Sequence, residues 1–297
     1  MCHECSDHMP VTIVRVSEET AAAEFGRKAN HKEADLVSKE AGITDEQYCK
    51  VIQETRYEAW RCLRPVPGEL LFQLDVEDCR HLSKAGQVGI LTKRYPMLYA
   101  DELELVEAKL QPLPSPPYFA RLSTCSTKGG QGGVGPFYTA KQIVTALVTS
   151  YRCVNVFERQ EPAGLYLLPF CPHFDCDKEF RVFVSNNRVT AISQYNEAED
   201  CGWGTCSDTD LTRIADHIVI LLNAMLKQAA ILKLALPASF TLDVFCHADQ
   251  DFAVELIELN SFGSQLAAGS CLFDWVKDYD VLYGLSNTIE LRIIGEQ

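Results

Sequence analysis

The sequence predicts an α+β fold in which antiparallel β-hairpins are covered by helices, and three stretches carry that expectation. The first runs from Phe240 to Phe262, where two apolar runs, Phe240 to Phe245 and Phe252 to Leu259, flank the polar link HADQD and so read as a hairpin. The second, Lys178 to Tyr195, is two alternating runs joined by Ser185-Asn186-Asn187-Arg188, turn chemistry between β-branched flanks. The third is a helix from Asp210 to about Leu234, capped by Asp208 or Thr209 and ended by Pro237. Leu211, Ile214, Ile218, Leu221, Leu222, Met225 and Leu226 form its apolar stripe, which would cover the sheet. A length of 297 residues corresponds to about two average domains, and 47% apolar composition is ample for a sizeable core.

Taken in order, Met9 to Val16 reads as a short strand and Ser17 to Glu40 as a solvated helix or helical hairpin. Thr44 opens T-D-E-Q, a capping-box pattern with Gln47 in the third place. Tyr48, Val51, Ile52, Tyr57 and Trp60 follow at helical spacing, which predicts a helix over 45–62. Pro65, Pro67 and Gly68 end it, Leu70 to Val76 resumes as a strand, and Ala100 to Leu110 is another helix. Gln111 to Pro117 contains four prolines and is expected to connect two lobes, which divides the chain into residues 1–117 and 118–297. Beyond it, Tyr118 to Leu122 is extended, Thr139 to Tyr151 is helical with Ile143, Ala146 and Leu147 inward, and Val154 to Glu158 is read as a strand. Gly164 to Cys171 suits a buried strand, and the tail from Ser270 turns toward a helix near Tyr279.

A formal charge of -14 with no Lys/Arg run speaks against general nucleic-acid binding, which relies on a basic footprint. No charged-then-apolar leader opens the sequence and no uninterrupted apolar run reaches the length of a membrane span, so a cytoplasmic protein is expected. Thirteen scattered cysteines suit reduced thiols better than a disulfide framework. Cys2 and Cys5 form a C-x-x-C beside His3 and His8, but no second pair follows at zinc-ribbon spacing. Neither this pair nor Cys201 with Cys206 is expected to hold metal.

The chemistry-bearing positions lie in the second half. Asp243, Glu258 and Asn260 put two carboxylates and an amide into apolar strands, where an unpaired charge is costly to bury. A side-chain period of two lets the three converge, either as hard ligands for Mg2+ or as solvent-facing groups on an edge hairpin. Arg181, mid-strand, requires an anion: Glu179, Asp243 or a nucleotide phosphate would each serve. Arg121, Lys128 and the glycines from Gly129 to Gly135 have the make-up of a flexible lid over phosphates, or of a plain mobile linker. The Walker order Gly-x-x-x-x-Gly-Lys-Ser/Thr is absent. The apolar segment with Leu168, Pro169, Phe170 and Cys171 is either core or one wall of a purine slot.

Read together, F-A-R-L-S, S-T-K-G, L-Y-L-L-P-F-C, E-F-R-V-F-V-S-N-N-R-V-T-A-I-S-Q, F-T-L-D-V-F, E-L-I-E-L-N-S-F and S-C-L-F-D-W follow one another between Tyr118 and Trp275. This order resembles the cell division cycle protein 123 family of the ATP-grasp fold group. The resemblance implies an α+β, ATP-grasp-like architecture of two lobes with antiparallel sheets flanked by helices and a nucleotide between them. It implies Arg121, Lys128 and Arg181 at the phosphates, the backbone from Leu168 through Pro169 and Phe170 to Cys171 at adenine, and Asp243, Glu258 and Asn260 holding Mg2+ with ATP. The family usually has Lys then Arg at 121 and 128, Asp at 258, Pro at 261 and Arg-Lys-Trp near 169–171, and its aromatic opening and acidic stretch are not found in the first third. It also implies an assembly chaperone for a protein partner, the gamma subunit of translation initiation factor 2. An ATP-dependent carboxylate–amine ligase acting through an acyl phosphate is the alternative that the fold group offers.

Overall fold

The structure is a computed structural model that describes residues 9–25, 42–266 and 268–296. Cys2, Cys5, His3 and His8 lie outside the described residues, as does most of the predicted helical stretch 17–40. The chain divides into two compact units, one built from Met1–Leu63 with Phe174–Gln297 and the other from Arg64–His173. Gln111 to Pro117, expected to link two lobes, falls inside the second unit.

In chain order the elements are β1 (Val11–Val16), α1 (Glu18–Phe25), α2 (Asp45–Glu54), α3 (Tyr57–Trp60), β2 (Leu70–Leu74), α4 (Val76–Thr92), α5 (Ala100–Lys109), β3 (Tyr118–Leu122), α6 (Ala140–Thr149), α7 (Tyr151–Phe157), β4 (Ala163–Pro169), β5 (Glu179–Ser185), β6 (Arg188–Gln194), α8 (Asp208–Leu232), β7 (Phe240–His247), β8 (Ala253–Asn260), α9 (Tyr279–Leu282) and β9 (Ile289–Ile294). Thr44 accepts from the Gln47 amide and Gln47 returns to the Thr44 amide, so the capping box starts α2 as the sequence predicts. The expected single helix over 45–62 breaks at Thr55 and Arg56, where the backbone of Arg56 turns extended before α3.

The first unit holds a six-stranded sheet in the order β1-β9-β6-β5-β7-β8. Both predicted hairpins are present: β5–β6 turns at Asn186 (φ 51°) and Asn187 (φ 60°), the positive dihedrals that a two-residue hairpin turn demands, and β7–β8 is antiparallel. The sheet is not wholly antiparallel, because β9 runs parallel to both β1 and β6. Helix α8 begins at its Ser207 cap and lays Leu211, Ile214, Ala215, Ile218, Leu222, Met225 and Ala229 against β8, β1 and β6. By length and composition this helix passes for a membrane span, yet its buried stripe is the cover of the sheet.

A bulge in β8 sorts that strand's side chains. Asp243 pairs with Glu258 but Val244 pairs with Leu256, so Ile257 is an extra residue. With it, Leu256 and Leu259 both oppose residues of the face that carries Leu242 and Val244, while Glu258 and Asn260 oppose Asp243 and Thr241 on the other. Two apolar residues three apart can thus share a face on a strand whose period is two.

The second unit has a three-stranded antiparallel sheet, β2-β4-β3, against α4 to α7. Its core gathers Leu82, Leu103, Ile143, Leu147, Phe157 and Leu165, all fully buried. Residues 154–158, read from the sequence as a strand, belong instead to the end of α7. Cys153, Val154 and Phe157 are buried there, and that i, i+1, i+4 spacing is helical although V-N-V-F also alternates.

Candidate functional site

In the first unit, the register of β5, β7 and β8 sets Arg181 beside Asp243 and Asp243 beside Glu258, with Asn260 opposite Thr241. Arg181 is 6% and Asp243 1% exposed, so both charges are out of water and each requires compensation. They compensate one another in a two-point pair: Nε donates to Oδ1 at 2.8 Å and Nη2 to Oδ2 at 2.8 Å. Nη1 donates to the Gly269 carbonyl at 2.9 Å, and the guanidinium lies 4.9 Å from the centre of the Tyr195 ring. Burial works against the Arg181 charge, and the adjacent Asp243 carboxylate outweighs it, holding the group well above its ordinary pKa. Burial likewise raises the Tyr195 phenol, and Asp243 adds to that rise. The anion that a mid-strand arginine requires is therefore supplied by Asp243, one of the alternatives open from the sequence.

Asn260 joins the two carboxylates, its Nδ2 donating to Asp243 Oδ2 at 3.0 Å and to Glu258 Oε1 at 3.2 Å. The structure thus brings Asp243, Glu258 and Asn260 together. A carboxylate offers about four lone-pair sites, and Arg181 and Asn260 occupy three on Asp243 among the bonds described here. With Glu258 and the Asn260 amide oxygen, the donor set is oxygen-rich and carries two negative charges against one arginine. That chemistry fits a hard divalent cation.

The second unit carries the other predicted residues. Arg121, on β3, is buried, with its Nε donating to the Leu122 carbonyl at 3.3 Å. Lys128 is exposed, and the Ser150 hydroxyl fixes its carbonyl at 3.0 Å. The glycine-rich loop is tied down: Gly130, Gly133 and Gly135 close successive turns, and Thr127 Oγ1 donates to the Gly133 carbonyl. Lys93 Nζ bridges the Gly129 and Thr149 carbonyls at 3.1 Å each, which also sets a cation at the C-terminal end of α6. A Cβ at Gly130 would meet the Ala146 carbonyl at 2.3 Å, so glycine there serves close approach to that helix. The loop differs in this from the flexible lid or free linker expected of its composition.

Leu168 is buried, Pro169 and Cys171 are exposed, and the Phe170 amide donates to the Pro117 carbonyl at 2.9 Å. That donor is therefore committed within the unit. A cavity of about 540 Å³ in the same unit is lined by Arg94, Gln131, Gly132, Phe137 and Lys141 among others; it takes in Gly132 of the predicted glycine-rich loop but not Arg121, Lys128 or any of Leu168, Pro169, Phe170 and Cys171. Sequence reasoning missed Tyr195 and Gly269 as partners of Arg181. Tyr195 ends the predicted hairpin and was visible there, whereas a backbone carbonyl in a loop leaves no residue-type signal.

These features define an α+β protein of two helix-flanked sheets, with an arginine–carboxylate cluster built around the buried Arg181–Asp243 pair across β5, β7 and β8 of the larger one. The chain belongs to the D123 family, whose model matches residues 147–297, just over half of it. The match includes Arg181, Asp243, Glu258 and Asn260 and begins beyond Arg121 and Lys128. The solved structure of Cdc123 from Schizosaccharomyces pombe is similar at a TM-score of 0.58 and 17% identity, covering 86% of this chain and 100% of that one. A C-terminally truncated form of the same protein gives 0.57, 16%, 86% and 100%. These likenesses establish the fold. A RimK domain ATP-grasp protein from Sphaerobacter thermophilus aligns over 92% of this chain and 96% of that one, at a TM-score of 0.36 and 12% identity. No curated protein matches the chain.

Proposed function

We propose that the chain binds ATP with Mg2+ and uses the bound nucleotide as an effector in assembling a protein partner in the cytoplasm. The family resemblance points to the gamma subunit of translation initiation factor 2 as that partner. The observation that carries the nucleotide half is the single Asn260 amide nitrogen donating to both Asp243 and Glu258, inside the segment that matches the family. In this reading Asp243, Glu258 and Asn260 hold the metal, which supplies a positive centre for phosphate oxygens. Arg181 fixes the Asp243 carboxylate and adds positive charge for the phosphates. Arg121 and Lys128 contribute further charge, and Leu168, Pro169, Phe170 and Cys171 an apolar wall for adenine. The reading asks for binding alone.

Calorimetric titration with ATP and Mg2+ tests it, and no heat of binding at about millimolar ligand would falsify the nucleotide half. Capture of purified initiation factor 2 gamma subunit, with and without ATP, tests the partner half. Retention that rises with nucleotide is the expected result, and no retention in either condition removes the partner while leaving the nucleotide claim to the calorimeter.

A further inference from the structure

The cavity in the second unit has no part in the nucleotide reading, and its volume of about 540 Å³ is that of a small-molecule site, for which about 300–1,000 Å³ is usual. Arg94 and Tyr95 line it from the segment after α4, Lys141 and Gln142 from the first turn of α6, and Pro136 and Phe137 from the stretch between the glycine-rich loop and that helix. Both charged residues of the lining are cations, in a chain whose net charge is -14. Neither has a carboxylate partner among the described residues. Lys141 Nζ lies instead 4.5 Å from the centre of the Tyr95 ring, and the Arg94 guanidinium makes no ion pair. Burial first, then Glu107 and Glu104, hold the Tyr95 phenol above its ordinary value, but neither acid enters the lining. Gln142 commits its amide oxygen to the Tyr138 and Thr139 N–H groups at 2.7 and 3.1 Å, so its nitrogen, a donor, is the group it has left to offer.

We propose that this cavity binds a phosphomonoester carried on a flat ring. A phosphomonoester bears a charge of about -1.5 to -2 at neutral pH, which two cations without a counter-ion match, whereas a carboxylate brings a single charge. The planar fork of Arg94 suits two phosphate oxygens at once, and Lys141 adds a point charge for a third. The Gln142 nitrogen supplies a neutral donor. Pro136 and Phe137 give the organic part of the ligand an apolar wall, the usual division of labour in such sites. A ligand held this way ties the segment after α4 to the start of α6. The site shares no residue with the Asp243 cluster and does not depend on the nucleotide reading.

The test is titration of the full-length protein with phenyl phosphate in magnesium-free buffer, followed by calorimetry and ligand-observed NMR. Wild type should bind with a Kd of about 1 mM or tighter, and raising sodium chloride from about 0.05 to about 0.5 M should weaken that binding. Arg94→Gln/Lys141→Gln should bind about tenfold more weakly or worse, having lost two charge-assisted contacts. Lys141→Arg keeps the charge and should bind as wild type does. Benzoate, benzyl alcohol and inorganic phosphate, which lack in turn the second charge, all charge and the ring, should each bind more weakly than phenyl phosphate. Arg94 and Lys141 are exposed, so the melting temperatures of the variants without ligand should equal that of wild type. The proposal is overturned if wild type shows no binding at about 10 mM phenyl phosphate. It is equally overturned if the double variant binds as wild type does, or if any of the other three compounds binds as tightly as phenyl phosphate.

Discussion

Asp243 and Glu258 sit side by side yet answer different demands. Asp243 is the counter-charge of a buried arginine, so Asp243→Asn should destabilise the protein by about 3–5 kcal/mol, the cost of leaving one member of a buried pair alone. Glu258 is less buried, and its Oε1 accepts from the Asn260 amide nitrogen that also donates to Asp243. Glu258→Gln removes the like charge beside Asp243 and keeps the side chain's shape, and its apo melting temperature should equal or exceed that of wild type. Its affinity for Mg·ATP should fall about tenfold or more. At about 100 times the wild-type Kd, the ligand would stabilise wild type by about 2.7 kcal/mol and a tenfold weaker variant by about 1.4. Thermal melts with and without Mg·ATP read both quantities, and an undiminished ligand-induced shift in Glu258→Gln would sink the metal assignment. Period-two reasoning suffices to converge these side chains. That Asp243 already holds Arg181 depends on the β5–β7 register, which no local pattern discloses.

Helix α4 shows what element-scale reading passes over. It has sound ends, a reciprocal Asp75–Asp78 capping box whose carboxylates Lys109 also engages. Its buried face is Cys79, Leu82, Ser83, Ala85, Gly86 and Gly89, mostly small or polar, so no stripe of large apolar residues announces it. The two glycines look like breakers in the sequence, and in the structure they are contact points. A Cβ on Gly89 would lie 2.3 Å from the Val148 carbonyl of α6, and one on Gly86 2.4 Å from Val154 of α7. Alanine at a helix interior is worth about 1 kcal/mol over glycine, but overpacking against a backbone atom costs about 1–3 kcal/mol. Gly89→Ala should therefore lower the melting temperature despite the better helix former, and a raised one would show that α4 and α6 have room to part. Where the signal was local, the sequence spoke clearly: Asn186-Asn187 marked its hairpin, Thr44-Gln47 its cap, and α8 its long stripe.

Across the whole molecule, several thiols are held as neutral core groups. Burial, with Asp78 adding, pushes Cys79 up to about 11, and burial, with Cys206 adding, pushes Cys246 up to about 12, from an ordinary value of 9.0. Above pH 9 the unfolded chain releases protons that the folded one keeps, so folding stability should decline as pH rises from about 9 toward 11–12 and stay flat in this respect below 9. Urea melts from pH 7 to 11, paired with thiol-reagent accessibility, check this; a stability that rises through that window contradicts it. The division into units was the least legible feature of the sequence. The proline-rich stretch 111–117 has the composition of a linker, but both its flanking elements, α5 and β3, join the same core. The actual first unit is assembled from two distant segments of chain.

That assembly has a consequence for how the protein is made. Val11 pairs with Ile289 and Val16 with Ile294, and β9 is the strand neighbour of β1 in the sheet. At about 5–20 residues per second of synthesis, β1 waits on the order of tens of seconds before its partner leaves the ribosome. Throughout that interval V-T-I-V-R-V is a nascent strand with no ladder to join, rich in β-branched residues and broken only by Arg15. A strand is thus translated long before the one it pairs with, and holding it soluble falls to whatever meets the emerging chain.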